Sequence, residues 1–189
     1  TADEATVTGK MGAANKVVTV TYTANKYNLT IHYVYSNGDK AANDYTGKVS
    51  YKDTYTVASP VLTGYTADKT SVTGTMIADD VVVTVTYSTN SYDLTIHYVY
   101  DDETKAAEDY TGKVNYNSTY TVNSPAITGY TADEVTVTGT MDAANKVVTV
   151  TYAINSYDLT IHYVYAGGTK AAEDYTGKVN YNSTYTVNS

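Results

Sequence analysis

The sequence predicts an all-β protein made of small domains repeated in tandem, and three observations carry that prediction. The first is composition: 23 of the 189 residues are Tyr, while Phe, Trp, Cys, Arg and Gln are absent and Thr and Val are abundant. Branched and aromatic side chains suit a pleated, half-buried surface, and tyrosine is the one aromatic type left to fill a core. The second is recurrence. YDLTIHYVY occupies residues 92–100 and returns unchanged at 157–165, and YNLTIHYVY occupies 27–35, each copy 65 residues from the next. The third is alternation: Leu94, Ile96, Tyr98 and Tyr100 fall on one side and Asp93, Thr95, His97 and Val99 on the other, the period-two pattern of a strand with one buried face.

The period of 65 covers the whole chain, the signature of a repeat architecture. Residues 1–22 match 131–152 at all but three positions. Residues 92–124 match 157–189 except where Asp101-Asp102-Glu103 becomes Ala166-Gly167-Gly168. Two repeats are complete, 27–87 and 92–152; residues 1–22 form the C-terminal part of a repeat and 157–189 the N-terminal part of another. Four-residue joints without glycine separate them, at 23–26, 88–91 and 153–156. The sequence therefore reads as a window cut from a longer array, and a missing leader says nothing about the parent protein.

Within a repeat the elements follow in order. The strand 92–100 leads into a four-residue connection spelled SNGD, DDET or AGGT, whose constant length and changing letters mark a hairpin loop; Asn37-Gly38 is a favoured hairpin pair. KAAEDYTGKVNY reads as the returning strand, with Gly112 marking a bulge or bend. STYTVNSP is a short extended piece that Pro125 ends. TGYTADEVTVTGTM reads as one strand between glycine turns at Gly129 and Gly139. VVTVTY closes the repeat with Val148, Val150 and Tyr152 on its apolar face, and residues 142–146 have room for one helical turn.

Bulk charge narrows the partners. A net charge of −8, with twelve Lys as the only full cations, disfavours nucleic acid and anionic membranes. No run is long and apolar enough for membrane insertion. Without Cys there are no disulfides, thiolate metal sites or thioester crosslinks.

The order of signals, a strand ending in HYVY, a Gly/Asp turn, TGKV, YTV, P-x-x-TGY, a TGTM-type strand and a final VTVTY, resembles the MucBP repeat, the mucin-binding-protein module found in tandem on Gram-positive surface proteins. The resemblance runs through each repeat end to end. It implies a small β-grasp-like fold in which the first and last strands lie side by side and parallel. It also implies an extracellular adhesin at the bacterial cell surface or cell wall, with mucin or other host glycans as partners. The absence of Arg and Trp and of a wall-anchoring motif departs from that pattern.

Each candidate site has plain packing as its alternative. His32, His97 and His162 lie one per repeat, with no second His or Cys in the repeat, so they offer no metal set. No orienting carboxylate or nucleophile is spelled beside them, and His97 is expected on the outer face of a core strand. The sequence therefore predicts no catalytic or metal residues, no cofactor and no enzyme. Tyr98, Tyr100 and Tyr152 are assigned to the core. Of the remaining tyrosines, Tyr45, Tyr51, Tyr110 and Tyr116 are the glycan-binding candidates, the alternative for them, as for Tyr55, Tyr65, Tyr120 and Tyr130, being ordinary packing. The acidic turn 101–103 carries oxygen ligands for calcium, but its copies do not, which favours a solvated loop. Lys48, Lys113 and Lys178 are candidates for isopeptide bonds to asparagine.

If the outer strands are parallel neighbours, the chain enters a repeat at one end and leaves at the other. Nine strand residues span roughly 30 Å, so a repeat with its joint advances about 35–45 Å, and the array extends end to end as a rod. The expected function is an extracellular stalk or filament segment of an adhesin that bears tension and projects a binding region. The alternative is a glycan-binding module acting by avidity. The partial repeats at the two ends also suggest head-to-tail self-association by strand addition.

Overall fold

Alternation becomes strand wherever the chain supplies a partner. The computed structural model describes residues 1–188 and divides into two units, Thr1–Thr89 and Asn90–Ser189. In the first unit, the complete repeat holds β1 (Lys26–Tyr35), β2 (Tyr45–Ser50), β3 (Thr54–Ala58), β4 (Tyr65–Ala67), β5 (Ser71–Thr75) and β6 (Val81–Thr89). In the second unit, β7 (Ser91–Tyr100), β8 (Lys105–Asn115), β9 (Thr119–Asn123), β10 (Tyr130–Ala132), β11 (Thr136–Thr140) and β12 (Lys146–Ile154) repeat the series. The partial repeat that follows adds β13 (Ser156–Ile161) and β14 (Tyr175–Asn180). No helix occurs among the described residues.

Each complete repeat has two layers. A four-stranded sheet runs β8-β7-β12-β10 in the second unit and β2-β1-β6-β4 in the first. Its first and last strands pair in parallel, as the resemblance implies. Parallel neighbours need a crossover of a dozen or more residues, commonly helical; here the return from β8 to β12 is made of β9, β10 and β11. The antiparallel β9–β11 pair lays Tyr120, Val137 and the following Met141 over Leu94, Ile96, Tyr98, Val150 and Tyr152. Leu94, Ile96 and Val150 are fully buried, and burying such a side chain contributes ~1.5–3 kcal/mol. The Tyr152 hydroxyl reaches the layer's margin and donates to the Pro125 carbonyl at 2.5 Å. Tyr87 does the same to Pro60 at 2.6 Å.

Partner supply matters more than propensity. Residues 17–22 spell the same VVTVTY as β12, yet only Tyr22 joins a bridge, to Ala2, and Val17 is 89% exposed. The nonapeptide that fills β7 is a strand only to Ile161 in its last copy. In both places the partner strand of the parallel pair is not among residues 1–189: the segment at 17–22 stays unpaired but for Tyr22, and β13 pairs only with β14 and stops at Ile161.

Four local expectations are corrected. Gly112 pairs in register with Leu94, and the irregularity lies instead between Ile96 and Val99. Gly139 is no turn: it sits inside β11 opposite Tyr120, whose ring lies over it. The presumed single strand before it is two, β10 and β11, because Asp133 turns its carboxylate onto the backbone N–H groups of Glu134 and Thr151. Residues 142–146 bend at 143–144 without a helical turn.

The hairpin loop also differs from the two-residue kind, which needs positive φ at both central positions. Here the Glu103 N–H donates to the Tyr100 carbonyl at 2.9 Å. The left-handed position falls on the third loop residue: Gly38 (φ 90°), Glu103 (65°) and Gly168 (82°). Only one of the three copies lacks glycine there. A left-handed non-glycine residue costs roughly 1–2 kcal/mol, of which glycine's extra unfolded-state freedom returns part. Glu103→Gly is therefore expected to stabilise the second unit by about 0.5–1 kcal/mol, read as a higher urea midpoint at constant slope; an unchanged or lower midpoint would contradict the strain argument.

Burial pushes the phenols of Tyr33, Tyr87, Tyr98 and Tyr152 above their ordinary value, with neighbouring tyrosines adding to the shift. In the unfolded chain these groups ionise near pH 10, so the folded state binds more protons at higher pH. Their contribution is intact below about pH 10 and is lost as pH rises through the folded values. Stability is expected to fall steeply above about pH 10, in step with the last part of the phenolate absorbance, that of the buried rings; ionisation of all 23 tyrosines well before unfolding would refute it.

Candidate functional site

In each repeat the parallel strand pair and the side chains that finish it form one continuous hydrogen-bonded construction. β7 and β12 run in register from Leu94 opposite Lys146 to Tyr100 opposite Tyr152. β1 and β6 do so from Leu29 opposite Val81 to Tyr35 opposite Tyr87. The chain enters the sheet at the start of β7 and leaves through the far end of β12, so its entry and exit lie at opposite ends of the pair. Side chains lengthen the ladder: Asn145 Oδ1 accepts from the Asp93 N–H at 2.9 Å, and Asp80 Oδ1 accepts from the Asn28 N–H at 2.7 Å. On the other flank, past three-residue β10 and β4, Asp133 accepts from the Thr151 N–H and Asp68 from the Thr86 N–H. A carboxylate thus takes over where the edge strand stops. Hydrogen bonds from Lys69 and Thr86 hold the Asp68 carboxyl below its ordinary value, despite some desolvation.

On the outer face the structure corrects one expectation. His97 Nδ1 lies 2.8 Å from Asp109 Oδ2, His32 the same distance from Asp44, and His162 2.7 Å from Asp174. An orienting carboxylate exists after all, twelve residues along the chain, brought across by the β7–β8 pairing and its irregularity beside His97. The signal was present: Asp44, Asp109 and Asp174 recur every 65 residues. The pair ties β7 to β8 and stands open to water, with side-chain exposures of 43% and 36% for His97 and Asp109. No group of three or more His, Cys, Asp or Glu able to hold a metal occurs among the described residues.

The lysines meet carboxylates. Lys113 Nζ contacts Asp93 at 2.7 Å and Lys178 contacts Asp158 at 3.0 Å, both exposed. Asn28 faces Lys48 across the β1–β2 register, but its amide donates to Asp80 Oδ2 at 2.8 Å. That bond and the Asn28 N–H hold the Asp80 carboxyl below its ordinary value. In the acidic turn, Asp102 Oδ1 accepts from both the hydroxyl and N–H of Thr104; the side-chain bond is the main cause lowering its carboxyl's pKa.

The four candidate tyrosines fall in two different places. Tyr45 and Tyr110 stand opposite Ile31 and Ile96 on the edge strands and remain 37% and 36% exposed. Each ring folds back over the glycine two residues on, so that a Cβ at Gly47 or Gly112 would lie 2.6 Å from the phenol oxygen. Tyr51 and Tyr116 sit in the turns after β2 and β8. Tyr51 is exposed, with the Lys52 ammonium 5.4 Å from its ring centroid. Tyr116 is half-buried, and its N–H donates to the Asn90 carbonyl at 2.8 Å. Tyr120 is buried and Tyr130 stacks on Tyr100, as packing requires.

A family model described as the MucBP domain matches residues 28–88, 93–153 and 158–189. Internalin J of Listeria monocytogenes serotype 4b (strain F2365) is 29% identical over 194 residues, covering 95% of this chain and 21% of that protein. Internalin J of Listeria monocytogenes serovar 1/2a (strain ATCC BAA-679 / EGD-e) is 28% identical over 84% of this chain and 20% of its own length. The chain thus spans about a fifth of these relatives. Among solved structures, the Bacillus anthracis TIE protein shares the fold, with a TM-score of 0.53, 11% identity, and coverage of 82% of this chain and 44% of that one. A type 2 repeat of the mucus binding protein MUB from Lactobacillus reuteri is 19% identical, with a TM-score of 0.32, over 68% of this chain and all of that one.

Proposed function

The chain belongs to the MucBP family, and from that premise we propose that it is a segment of an extracellular stalk on a Gram-positive surface adhesin, carrying tension and projecting a binding region from the cell wall. The observation that supports this reading is the parallel pairing of each repeat's first and last strands. Tension on the two ends of a repeat pulls those strands in opposite directions along their length. The ladder bonds between them are then loaded together, whereas an antiparallel hairpin pulled from its open end breaks one bond at a time. The Asn145 side chain adds a bond at the margin of that ladder. Single-molecule pulling on the chain is expected to give two main rupture events, one per complete repeat, each several-fold above hairpin unzipping. Val148→Pro, which removes a donor from β12 on the side facing β7, since the Thr151 N–H and so that of Thr149 face the other flank, is expected to lower one event and leave the other. Rupture of both at hairpin-like force would overturn the reading.

A second reading rests on Tyr45 and Tyr110, which hold matching half-exposed positions in the two complete repeats with their phenol ends folded back over glycine. Such faces suit sugar stacking, and mucin glycans are the ligand class the family resemblance implies, with repetition supplying avidity. Mucin-coated beads are expected to retain the chain and to lose it on joint Tyr45→Ala and Tyr110→Ala replacement; equal retention of the double variant would remove these residues from the reading.

A further inference from the structure

The connection after the second complete repeat is gripped from both sides. Asn155 donates its backbone N–H to the Gly129 carbonyl at 2.8 Å, and its own carbonyl accepts from the Tyr181 N–H at 2.7 Å. Its side-chain Oδ1 accepts from the Thr131 hydroxyl at 2.6 Å. Gly129 and Thr131 belong to the repeat behind the joint, Tyr181 to the repeat ahead. The Tyr181 ring meets Tyr130 edge to face, centroids 6.2 Å apart, and Tyr130 stacks on Tyr100 at 4.6 Å. The ring also lies directly on Gly129, where φ is +81° and where any Cβ would overlap it. A row of three tyrosines therefore starts at the sheet of one repeat and ends on a side chain of the next.

The joint near the front of the chain is built from the same parts. The Thr1 hydroxyl donates to Asn25 Oδ1 at 2.7 Å, and the Tyr51 N–H donates to the Asn25 carbonyl at 2.8 Å. Thr, Asn and Tyr stand at 1, 25 and 51 and again at 131, 155 and 181.

We infer that the end face of a repeat, formed by Gly129, Tyr130 and Thr131, is an interaction surface whose partner is the next copy of the repeat, with Asn155 and Tyr181 fixing the angle between the two. A four-residue connection leaves two soft dihedrals at each residue, and an unrestrained one behaves as a flexible linker. Three hydrogen bonds converging on one asparagine, and a ring seated where only glycine fits, remove that freedom. The inference is separate from the stalk proposal, since a stiff joint is compatible with repeats that yield easily, and the reverse.

The absence of Cys makes paired spin labels straightforward. Labels at Thr149 and Thr176 report across the joint, and labels at Thr111 and Thr149 report within one repeat; all three positions are exposed. In the full chain, pulsed-EPR distance distributions are expected to be narrow for both pairs. Asn155→Ala and Tyr181→Ala are each expected to broaden the cross-joint distribution about twofold or more, toward that of a free linker, and to leave the other pair narrow. Thr131→Val, which removes only the hydroxyl bond, is expected to act in the same direction. Unchanged cross-joint widths in the first two variants, a cross-joint distribution already broad in the unaltered chain, or equal broadening within the repeat would each overturn the inference.

Discussion

Placing β7 beside β12 in parallel dictates most of what lies between them. Antiparallel β8 brings the chain back the length of the sheet, but β12 lies on the other side of β7, so the path between them has to cross the inner face that Leu94, Ile96 and Tyr98 present. The β9–β11 pair lies on that path and closes the core with Tyr120, Val137 and Met141. The same pairing puts entry and exit at opposite ends of the ladder, the geometry from which the stalk proposal starts. Edge strands fall on either side, and there short β10 is continued by the Asp133 carboxylate. Side chains that look like ordinary polar decoration in TADE are thus substitutes for backbone.

How much of this could be read from the letters depended on whether a feature had a period. The inner faces of β7 and β12 were legible because period two places Leu94, Ile96, Val150 and Tyr152 without ambiguity, and all four are buried. The period of 65 stands in the letters themselves. The His97–Asp109 pair was not, since it depends on register and on the irregularity between Ile96 and Val99, which hydrophobic pattern does not encode. Gly139 was misread for a related reason: glycine signals a turn when taken alone, but opposite a tyrosine it is also the residue that lets an aromatic ring lie flat on a strand. The candidate tyrosines share one letter and two environments, edge strand and turn, and only the fold separates them.

The copies themselves show which positions tolerate change. The loop after the first strand is spelled three ways, and its geometry asks only for a left-handed third residue, filled twice by glycine and once by Glu103. By contrast Thr131, Asn155 and Tyr181 have their counterparts at Thr1, Asn25 and Tyr51, and each makes a bond across the joint. The variable positions face solvent at a loop tip; the constant ones face another repeat.

Residues 17–22 connect these points. They repeat the letters of β12 and fail to form its strand, which locates the stability of VVTVTY in the neighbour that it pairs with and not in the segment. A repeat of about 61 residues without disulfides sits near the lower limit of what one core sustains. In arrays of such modules the interface between neighbours contributes to the stability of each. A joint that seats Tyr181 on Gly129 therefore does two things with one contact: it sets direction along the chain, and it couples the folding of one repeat to the presence of the next. Cooperative strength from marginal parts requires that coupling, and a joint made of loose linker would forfeit it.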